Sequence, residues 1–187
     1  MSSVVGVTGP NAAGKGEVSS YLRSMGFTLH SLSDIVREEA AARGLPPERE
    51  HLIRIGTLLR EAGGPAVLAE RLVSRLGRRD VVDSIRNPGE VEALRRVPGF
   101  ILVGVTAPER LRFARSQARA RPGDPESFEE FLARERQENS KNPAGQQLRA
   151  TFELADHVID NDGDLEALHR KVDALLSSLE SRPASRW

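Results

Sequence analysis

Short apolar runs alternate along the chain with longer stretches in which apolar residues recur every three or four positions. The short runs predict strands at residues 4–8, 27–30, 80–83, 100–106 and 157–160. The longer stretches have the spacing of amphipathic helices and begin near residues 15, 31, 48, 66, 88, 108, 128 and 164. Strands that alternate with helices form parallel βαβ units. The pattern therefore predicts an α/β fold of three layers, in which helices cover both faces of a five-stranded parallel sheet and residues 4–8 form the central strand.

The chain of 187 residues has the length of one domain with an insert. We expect that domain to cover residues 1–180, with a helical insert at about residues 33–76, between the second and third strands. A break rich in proline and glycine follows Arg119 and separates two helices, so residues of about 115–140 are the best candidate for a mobile lid. The polar residues 181–187 are expected to form a flexible tail.

The composition excludes several classes of function. Lys and Arg together number 27, as do Asp and Glu, so no overall charge attracts nucleic acid or an anionic membrane, and we expect nucleic acid not to be a partner. The chain has no cysteine, which excludes disulfides, thiolate catalysis and zinc held by cysteine. No stretch approaches the roughly 20 apolar residues of a membrane span, so we expect a cytoplasmic protein. The composition does not indicate an oligomeric state.

A glycine-rich loop connects the first predicted strand to the first helix and fits the pattern G-x-x-x-x-G-K. It consists of Gly9, Pro10, Asn11, Ala12, Ala13, Gly14 and Lys15, and it is followed by Gly16 and Glu17. Small residues let successive backbone N–H groups surround a phosphate, the helix N-terminus adds positive potential, and the lysine reaches the β- and γ-phosphate oxygens of ATP. The structural alternative is an ordinary turn with a chance lysine, but the chain has only three lysines. A hydroxyl that binds Mg²⁺ commonly follows the lysine, whereas this chain has Gly16.

Charged residues follow the second and third predicted strands, at the edge of a parallel sheet where ligands bind. Asp83 ends the third strand and is placed to hold Mg²⁺ or to take a proton from the acceptor of a phosphoryl group. Asp34 and Arg37 lie three positions apart on one helix, so Arg37 can grip an acceptor phosphate while Asp34 orients a hydroxyl or a metal-bound water. Arg60 and Arg86 are further candidates for the acceptor site. The structural alternatives are a surface ion pair for Asp34 and Arg37, a turn cap for Asp83 and solvated charge for Arg60.

Three arginines, Arg112, Arg115 and Arg119, recur on one face of the helix before the proline and glycine break, so we expect their guanidinium groups to face the same way. Arginines carried by a closing lid can stabilise the charge that spreads over a transferred phosphoryl group. We expect Arg119 to act in this way and Arg115 to bind ATP, with a solvated arginine face as the structural alternative. The next helix carries charges at the spacing of helical ion pairs, which we expect to be structural: Glu130, Arg134 and Glu138.

Several of these segments resemble the P-loop nucleoside monophosphate kinases and dephospho-coenzyme A kinases, and the resemblance covers nearly the whole chain. Residues 5–9 with Gly14 and Lys15, and residues 155–163 near the carboxyl end, are similar to the two ends of dephospho-coenzyme A kinases. Gly14, Lys15 and Gly16 are similar to the loop of adenylate kinases, and residues 32–37 resemble the segment with which such kinases hold the acceptor monophosphate. Residues 82–86 resemble the acidic strand end of adenylate-kinase-like archaeal proteins and of the kinase-like domain attached to some deoxycytidylate deaminases.

The resemblance implies a P-loop kinase fold with an ATP site, an acceptor site and an arginine-bearing lid. We therefore expect a kinase that uses ATP and Mg²⁺ to phosphorylate a small phosphate-bearing acceptor. A nucleoside or deoxynucleoside monophosphate is the leading acceptor, and dephospho-coenzyme A is the alternative. Lys15, Asp83 and Arg119 are the expected catalytic residues, and Asp83 is the expected metal ligand.

Two other classes of protein stay open. Gly16 and Glu17 stand where a metal-binding hydroxyl is expected, which keeps open a regulatory module that binds nucleotide with little transferase activity. A kinase that phosphorylates the ends of nucleic acids is a further alternative, which the zero net charge disfavours.

Overall fold

The computed structural model describes residues 3–120, 124–139 and 141–180, and in these ranges five parallel strands form one sheet. The order of the strands across the sheet is β2-β3-β1-β4-β5. Their bounds are Ser3–Thr8 (β1), Thr28–Ser31 (β2), Arg79–Asp83 (β3), Phe100–Thr106 (β4) and His157–Asp160 (β5). The expected α/β fold with the first strand at its centre is therefore confirmed, and each strand begins and ends within one residue of its predicted position.

Helices connect the strands and cover both faces of the sheet. In the described ranges they are Lys15–Ser24 (α1), Leu32–Ala42 (α2), Arg49–Gly63 (α3), Val67–Val73 (α4), Pro88–Leu94 (α5), Glu109–Arg119 (α6), Phe128–Glu138 (α7), Leu148–Glu153 (α8) and Leu165–Glu180 (α9). The sequence pattern did not predict α8, a single short helix before β5. None of the helices in these ranges is both long enough and apolar enough to cross a membrane.

The two faces of the sheet bury two separate apolar clusters. Val4 of β1 packs with α2, α3, α4 and α5 on one face, whereas its neighbour Val5 packs with α1 and α9 on the other. Successive side chains of a strand point to opposite faces, so a strand that is buried on both sides needs an unbroken apolar run. This requirement explains the sequence of β1 and its central position.

The start of α5 shows how a local signal in the sequence fixes a loop of the site. The Asn87 side chain accepts a hydrogen bond from Gly89 N, and Glu90 Oε2 accepts one from Asn87 N in return, which closes a capping box. Glu90 is fully buried, and its Oε2 also accepts a hydrogen bond from Arg86 N. The helix cap therefore holds the loop between β3 and α5 in one conformation.

Because all the strands run parallel, their carboxyl ends lie along one edge of the sheet. The loop after β1, the start of α2 after β2, and Asp83 at the end of β3 meet at this edge. The expected break at Pro122 and Gly123, and the expected tail at residues 181–187, lie outside the described residues.

Candidate active site

The loop between β1 and α1 has a backbone that only glycine can adopt at two positions. Gly9 has a φ of 140°, and a Cβ atom there would lie 2.0 Å from the carbonyl oxygen of Val105 in β4. Gly14 has a φ of 105°, and a Cβ atom there would lie 2.2 Å from Nδ2 of Asn161, which follows β5. L-residues with a side chain rarely take such φ values, and neither position has room for one. The two glycines of the motif therefore allow the loop to pass close to the neighbouring strands.

Lys15 ends the glycine-rich motif and is the first residue of α1, and its ammonium group is directed back at the backbone of the loop. Its Nζ atom donates hydrogen bonds to the carbonyl oxygens of Gly9, at 2.8 Å, and Pro10, at 2.7 Å. Burial, which disfavours the charged amine, and next the positive charge of Arg86 lower its pKa from 10.5 to about 7, although the carboxylates of Glu138 and Asp83 act to raise it. A phosphate that enters the loop would supply the negative charge that this lysine lacks.

Side chains from other parts of the chain form hydrogen bonds with the loop on two sides. Asn161 Nδ2 donates a hydrogen bond to Ala13 O at 2.8 Å. On the other side, the carbonyl oxygen of Asn11 accepts a hydrogen bond from Arg112 of α6 at 3.1 Å, and its side-chain amide donates one to Glu138 of α7 at 2.6 Å. The loop is thus held in shape before any ligand arrives.

Gly16 and Glu17, the two residues after the lysine, begin α1 and are exposed. No atom lies within 4 Å of the place where a Cβ atom of residue 16 would stand, so the space beside the loop is open there. The P-loop hydroxyl that ordinarily helps to bind Mg²⁺ is absent from this position. A metal ion at this site would need its protein ligand from elsewhere.

A cleft of about 1070 Å³ begins at the glycine-rich loop and extends over the ends of β2 and β3 to α3. Most of the residues expected from the sequence to form the site line this one cleft, namely Asn11, Ala12, Gly14, Lys15, Gly16, Glu17, Asp34, Arg37, Arg60, Asp83, Arg86, Arg115 and Arg119. Its walls carry seven lysine or arginine side chains and four carboxylates. The chain as a whole has no net charge, so the positive charge is concentrated in the cleft.

Asp83 is the last residue of β3 and lines the cleft. Its Oδ1 atom is buried and has no hydrogen-bond partner in the described residues. A buried carboxylate oxygen without a donor is costly unless a cation or a ligand group completes it. Carboxylate oxygen is the ligand type that Mg²⁺ prefers, and the remaining ligands can be water and phosphate oxygens, so Asp83 fits the metal of a nucleotide. In the described part of the chain, no group of three acidic or histidine side chains forms a metal site by itself.

Hydroxyl groups and an exposed ion pair lie next to Asp83. Ser31 Oγ is 2.9 Å from Ser33 Oγ and 3.2 Å from Ser84 Oγ, so the three hydroxyls form a small cluster at the start of α2. Arg37 donates to Asp34 Oδ1 at 2.6 Å and to Ser33 Oγ at 2.8 Å. The Asp34 and Arg37 side chains are 62% and 51% exposed, so water screens the attraction between them and an incoming ligand can replace it.

Apolar side chains form the rest of this wall. They come from α2, α3 and α4 and include Leu32, Val36, Leu52, Ile53 and Leu68. An acceptor that binds here would meet cations at one end and an apolar surface at the other.

Arg60 and Arg86, both expected in the acceptor site, have different surroundings. Arg60 is 5% exposed and donates through Nε, at 3.0 Å, and Nη2, at 2.6 Å, to the fully buried Glu90. Its charge is therefore already paired, and it supports the loop that carries Arg86. Arg86 donates to Gln146 Oε1 at 3.0 Å and has no carboxylate within ion-pair distance in the described residues. Burial lowers the pKa of Arg86, while the charge of Glu138 acts to raise it.

The expectation that the three arginines of α6 face the same way is wrong for Arg112. This residue is 4% exposed, forms an ion pair with Glu135 of α7 and stacks near the ring of Phe131, because α6 and α7 pack against each other along this side. Arg115 and Arg119 line the cleft as expected. Arg115 donates to the carbonyl oxygens of Asn161, at 3.0 Å, and Gly163, at 3.3 Å. Arg119 forms two hydrogen bonds with Asp124, at 2.9 and 2.8 Å.

Sequence reasoning missed three residues that touch the site. Glu138 was expected to pair with Arg134, but Arg134 pairs with Glu130, and Glu138 turns towards the glycine-rich loop, where it contacts Asn11 and Arg49. Nothing in the local pattern distinguishes Glu138 or Arg49 from surface charges. Asn161 could have been found, because it follows β5 and therefore lies at the same edge of the sheet as the loop.

Comparisons with known proteins identify relatives of the chain. No family model matches the chain. A UPF0200 protein of Hyperthermus butylicus is 38% identical over 180 residues, with 94% of each chain covered. A UPF0200 protein of Methanothermobacter thermautotrophicus is 33% identical over 184 residues, which cover 96% of this chain and 92% of the relative.

Solved structures show a shared fold. The structure of TT1252 from Thermus thermophilus has a TM-score of 0.62 and 28% identity, and the match covers 95% of this chain and 98% of that one. Shikimate kinase from Acinetobacter baumannii, in complex with shikimate, has a TM-score of 0.60 and 20% identity, with 97% of each chain covered. A gluconokinase from Sinorhizobium meliloti has a TM-score of 0.54 and 19% identity, with 95% and 93% covered. The fold is that of the P-loop kinases.

Proposed function

The chain belongs to the UPF0200 family, and on that premise we propose that it is an ATP-dependent phosphotransferase that moves the γ-phosphoryl group of ATP to a small phosphate-bearing acceptor. The acceptor is a nucleoside or deoxynucleoside monophosphate. One observation carries the proposal: the cleft continues from the glycine-rich loop, past Asp83, to a second group of cations, Arg37, Arg49 and Arg86. A protein that only bound or hydrolysed ATP would not need this second group.

The loop supports the donor side of the reaction. Its backbone is held around Lys15 in the manner of a phosphate cradle, and the helix N-terminus at Gly14 faces the cleft. The ammonium group of Lys15, which now bonds to two carbonyl oxygens, would turn to the β- and γ-phosphate oxygens when ATP binds.

Mg²⁺ fits the oxygen of Asp83 that lacks a partner. The ion would supply charge neutralisation on the β- and γ-phosphates, and Asp83 would orient it directly or through a bound water. With a monophosphate as acceptor, Asp83 need not act as a base that removes a proton from the attacking oxygen. A phosphate monoester has its second pKa near about 6, so its attacking oxygen is already ionised at neutral pH.

The acceptor side fits a phosphate attached to a flat, partly apolar group. Arg86 is half-buried and has no carboxylate within ion-pair distance in the described residues, and a phosphate dianion would neutralise it. The apolar side chains of α2, α3 and α4 would then cover the base, and the hydroxyls of Ser31, Ser33 and Ser84 lie between the two regions. Arg37, at the exposed rim, would bind the same phosphate from the other side.

In the transfer step, an acceptor phosphate oxygen forms a bond to the γ-phosphorus while the bond from that phosphorus to the β,γ-bridging oxygen breaks. ADP leaves with the electron pair of the broken bond. Charge spreads over the γ-phosphoryl oxygens in between, and Lys15 and Arg119 are the cations of the cleft that we assign to it. For Arg119 this requires that its guanidinium group exchange Asp124 for phosphate oxygens.

The test is a panel of acceptors with ATP and Mg²⁺, in which ADP and the phosphorylated product are both measured. We expect one or a few nucleoside monophosphates to be phosphorylated and the matching nucleosides, which lack the phosphate, to be poor acceptors. Turnover of dephospho-coenzyme A alone would replace the leading acceptor with the alternative. ATP binding with no turnover of any acceptor would favour a nucleotide-binding regulatory module, for which the absence of a hydroxyl at Gly16 is the supporting observation.

A further inference from the structure

We propose that Glu138 makes the acceptor part of the cleft select an anionic ligand, because its carboxylate holds Arg49 until a phosphate takes its place. This inference rests on the proposed function, since it concerns the same cleft. It assigns a specificity-determining role to a helix-terminal glutamate that the donor and acceptor sites described above do not require.

The two oxygens of the Glu138 carboxylate are divided between the two sides of the site. Oε2 accepts a hydrogen bond from Nδ2 of Asn11 in the glycine-rich loop at 2.6 Å. Oε1 accepts one from Nη2 of Arg49, the first residue of α3 in the acceptor wall. One carboxylate therefore connects the donor loop to the helical insert.

The position of this carboxylate is unfavourable unless cations surround it. Glu138 is the last residue of α7, where the carbonyl ends of the helix carry partial negative charge, and its side chain is only 7% exposed. Besides Arg49, the charges of Lys15 and Arg86 are close enough to interact with it, and Glu138 acts to raise the pKa of both cations. The Glu138 carboxylate therefore interacts with three cations, Arg49, Lys15 and Arg86, that are suited to binding phosphates.

Arg49 can be reached from the cleft. Its side chain is 45% exposed and lines the cleft, whereas Glu138 lies behind it. A phosphate dianion that enters between Arg49 and Arg86 offers more charge and more acceptor atoms than a carboxylate, and two neighbouring anions repel each other. The phosphate would therefore take Arg49, and Glu138 would lose its ion pair. A neutral hydroxyl or a water molecule cannot make this exchange.

The other carboxylates of the same helix do not share this arrangement. Glu135 pairs with the buried Arg112, and Glu130 pairs with Arg134 one helical turn away. These pairs fix α6 and α7 and need not change when a ligand binds. Only the pair of Glu138 with Arg49, among the ion pairs of α7 in the described residues, has a cation that lines the acceptor part of the cleft.

The experiment compares Glu138→Gln with Glu129→Gln, which removes the same charge from an exposed position on the same helix. Binding of inorganic phosphate to the full chain is measured by calorimetry. We expect Glu138→Gln to bind phosphate about tenfold more tightly, which is the effect of freeing one charge-assisted hydrogen bond. We expect Glu129→Gln to leave phosphate binding unchanged.

A double-mutant cycle tests whether Glu138 acts on phosphate binding through Arg49. In an Arg49→Gln background, phosphate binding should be weak and Glu138→Gln should no longer strengthen it. If Glu138→Gln does not fold, Glu138→Asp keeps the charge but draws the carboxylate back by one methylene, and it should also strengthen phosphate binding. Unchanged or weaker phosphate binding in the folded variant, or the same gain without Arg49, would overturn the proposal.

The role of Glu138 and the proposed kinase function can fail independently, and phosphate binding distinguishes the two cases. If no acceptor is phosphorylated but Glu138→Gln binds phosphate more tightly through Arg49, the function is wrong and the exchange at Arg49 stands. If monophosphates are phosphorylated but the variant binds phosphate as the wild type does, the function stands and the role of Glu138 is wrong.

Discussion

The donor half and the acceptor half of the cleft are built in different ways. The donor half is made of backbone: Gly9 and Gly14 take positive φ values against Val105 and Asn161, and the loop between them forms the cradle. The acceptor half is made of side chains from α2, α3 and the loop after β3, and their charges depend on distant partners. A backbone cradle has one fixed geometry for a phosphate, whereas a surface of side chains can be adapted to different acceptors.

Both halves contain cations that have a carboxylate partner and cations that do not. Lys15 and Arg86 are half-buried and lack a carboxylate partner within ion-pair distance in the described residues, whereas Arg60 and Arg119 are paired with Glu90 and Asp124. The unpaired cations are suited to bind ligand charge, and the paired cation Arg60 is suited to hold the wall. Variants at these positions should therefore separate catalysis from stability.

The largest effect is expected at the donor loop. Lys15→Ala should lower kcat by about 10²- to 10³-fold, because it removes a cation aimed at the transferred phosphoryl group. The melting temperature should stay near that of the wild type, since the change also removes a buried and poorly solvated amine. Lys141→Ala, at an exposed position that does not line the cleft, should leave both unchanged. Normal turnover by the Lys15 variant would show that the loop is not the donor site.

Asp83→Asn should lower Mg²⁺-dependent turnover by about 10²-fold or more, because it removes the charge that faces the metal at the boundary of the two halves. Nucleotide binding without metal should be nearly unchanged, which equilibrium dialysis or calorimetry in the presence of a chelator can measure. An equal loss of metal-free binding and of turnover would instead indicate damage to the fold.

Arg60 and Arg86 provide the sharpest contrast within the acceptor half. Arg60→Met should lower the free energy of unfolding by about 3–5 kcal/mol, because it leaves Glu90 buried without its partner. Arg86→Met should raise the acceptor KM by about tenfold while changing stability little, since it removes a half-buried cation whose loss leaves no carboxylate without its ion pair. Denaturant unfolding and steady-state kinetics measure the two effects. If both variants lose mainly stability, Arg86 is a structural residue.

The pH dependence of ATP binding reports on Lys15. In the free protein its pKa is about 7, and a bound phosphate favours the charged amine and raises that pKa. As the pH rises above 7, the free amine loses its proton and must regain it on binding, so the affinity for ATP should fall by up to about tenfold per pH unit. Calorimetry in two buffers of different ionisation enthalpy should show proton uptake near pH 8, and Lys15→Met should show none. Affinity that is constant from pH 7 to 9 in the wild type would contradict this.

The smallest effect is expected at Gly16. The space around it is open, so Gly16→Ser should place a hydroxyl beside the metal position and raise the affinity for Mg²⁺ with nucleotide by about threefold to tenfold, as one additional hydrogen-bonding group can. Gly16→Ala controls for the gain in helix propensity alone. Equal affinities in the serine and alanine variants would mean that the metal does not approach this position.

The same contrast explains what could be predicted from the sequence. The order of strands and helices and the donor loop were predictable, because the apolar period and the glycine positions are local properties of the chain. The capping box at Asn87 and Glu90 was also predictable, but the ion pair between Glu90 and Arg60 was not, since the partners lie thirty positions apart and meet only through packing. Arg112 was expected to face the same way as Arg115 and was instead found paired with Glu135, a contact that also forms only through packing. The acceptor half consists mostly of such distant pairs.

The central claim is that the two halves bind two phosphate groups in line on either side of Asp83. Its most direct test is the affinity of compounds in which adenosine is joined to each of several nucleosides through five phosphates, compared with that of ATP under the same conditions. If both halves act as proposed, one of these compounds should bind at least about 10²-fold more tightly than ATP, since it fills both sites at once. Arg86→Met should remove most of that gain and leave ATP binding intact. If none of the compounds binds more tightly than ATP, the cleft does not hold a second nucleotide and the account is wrong.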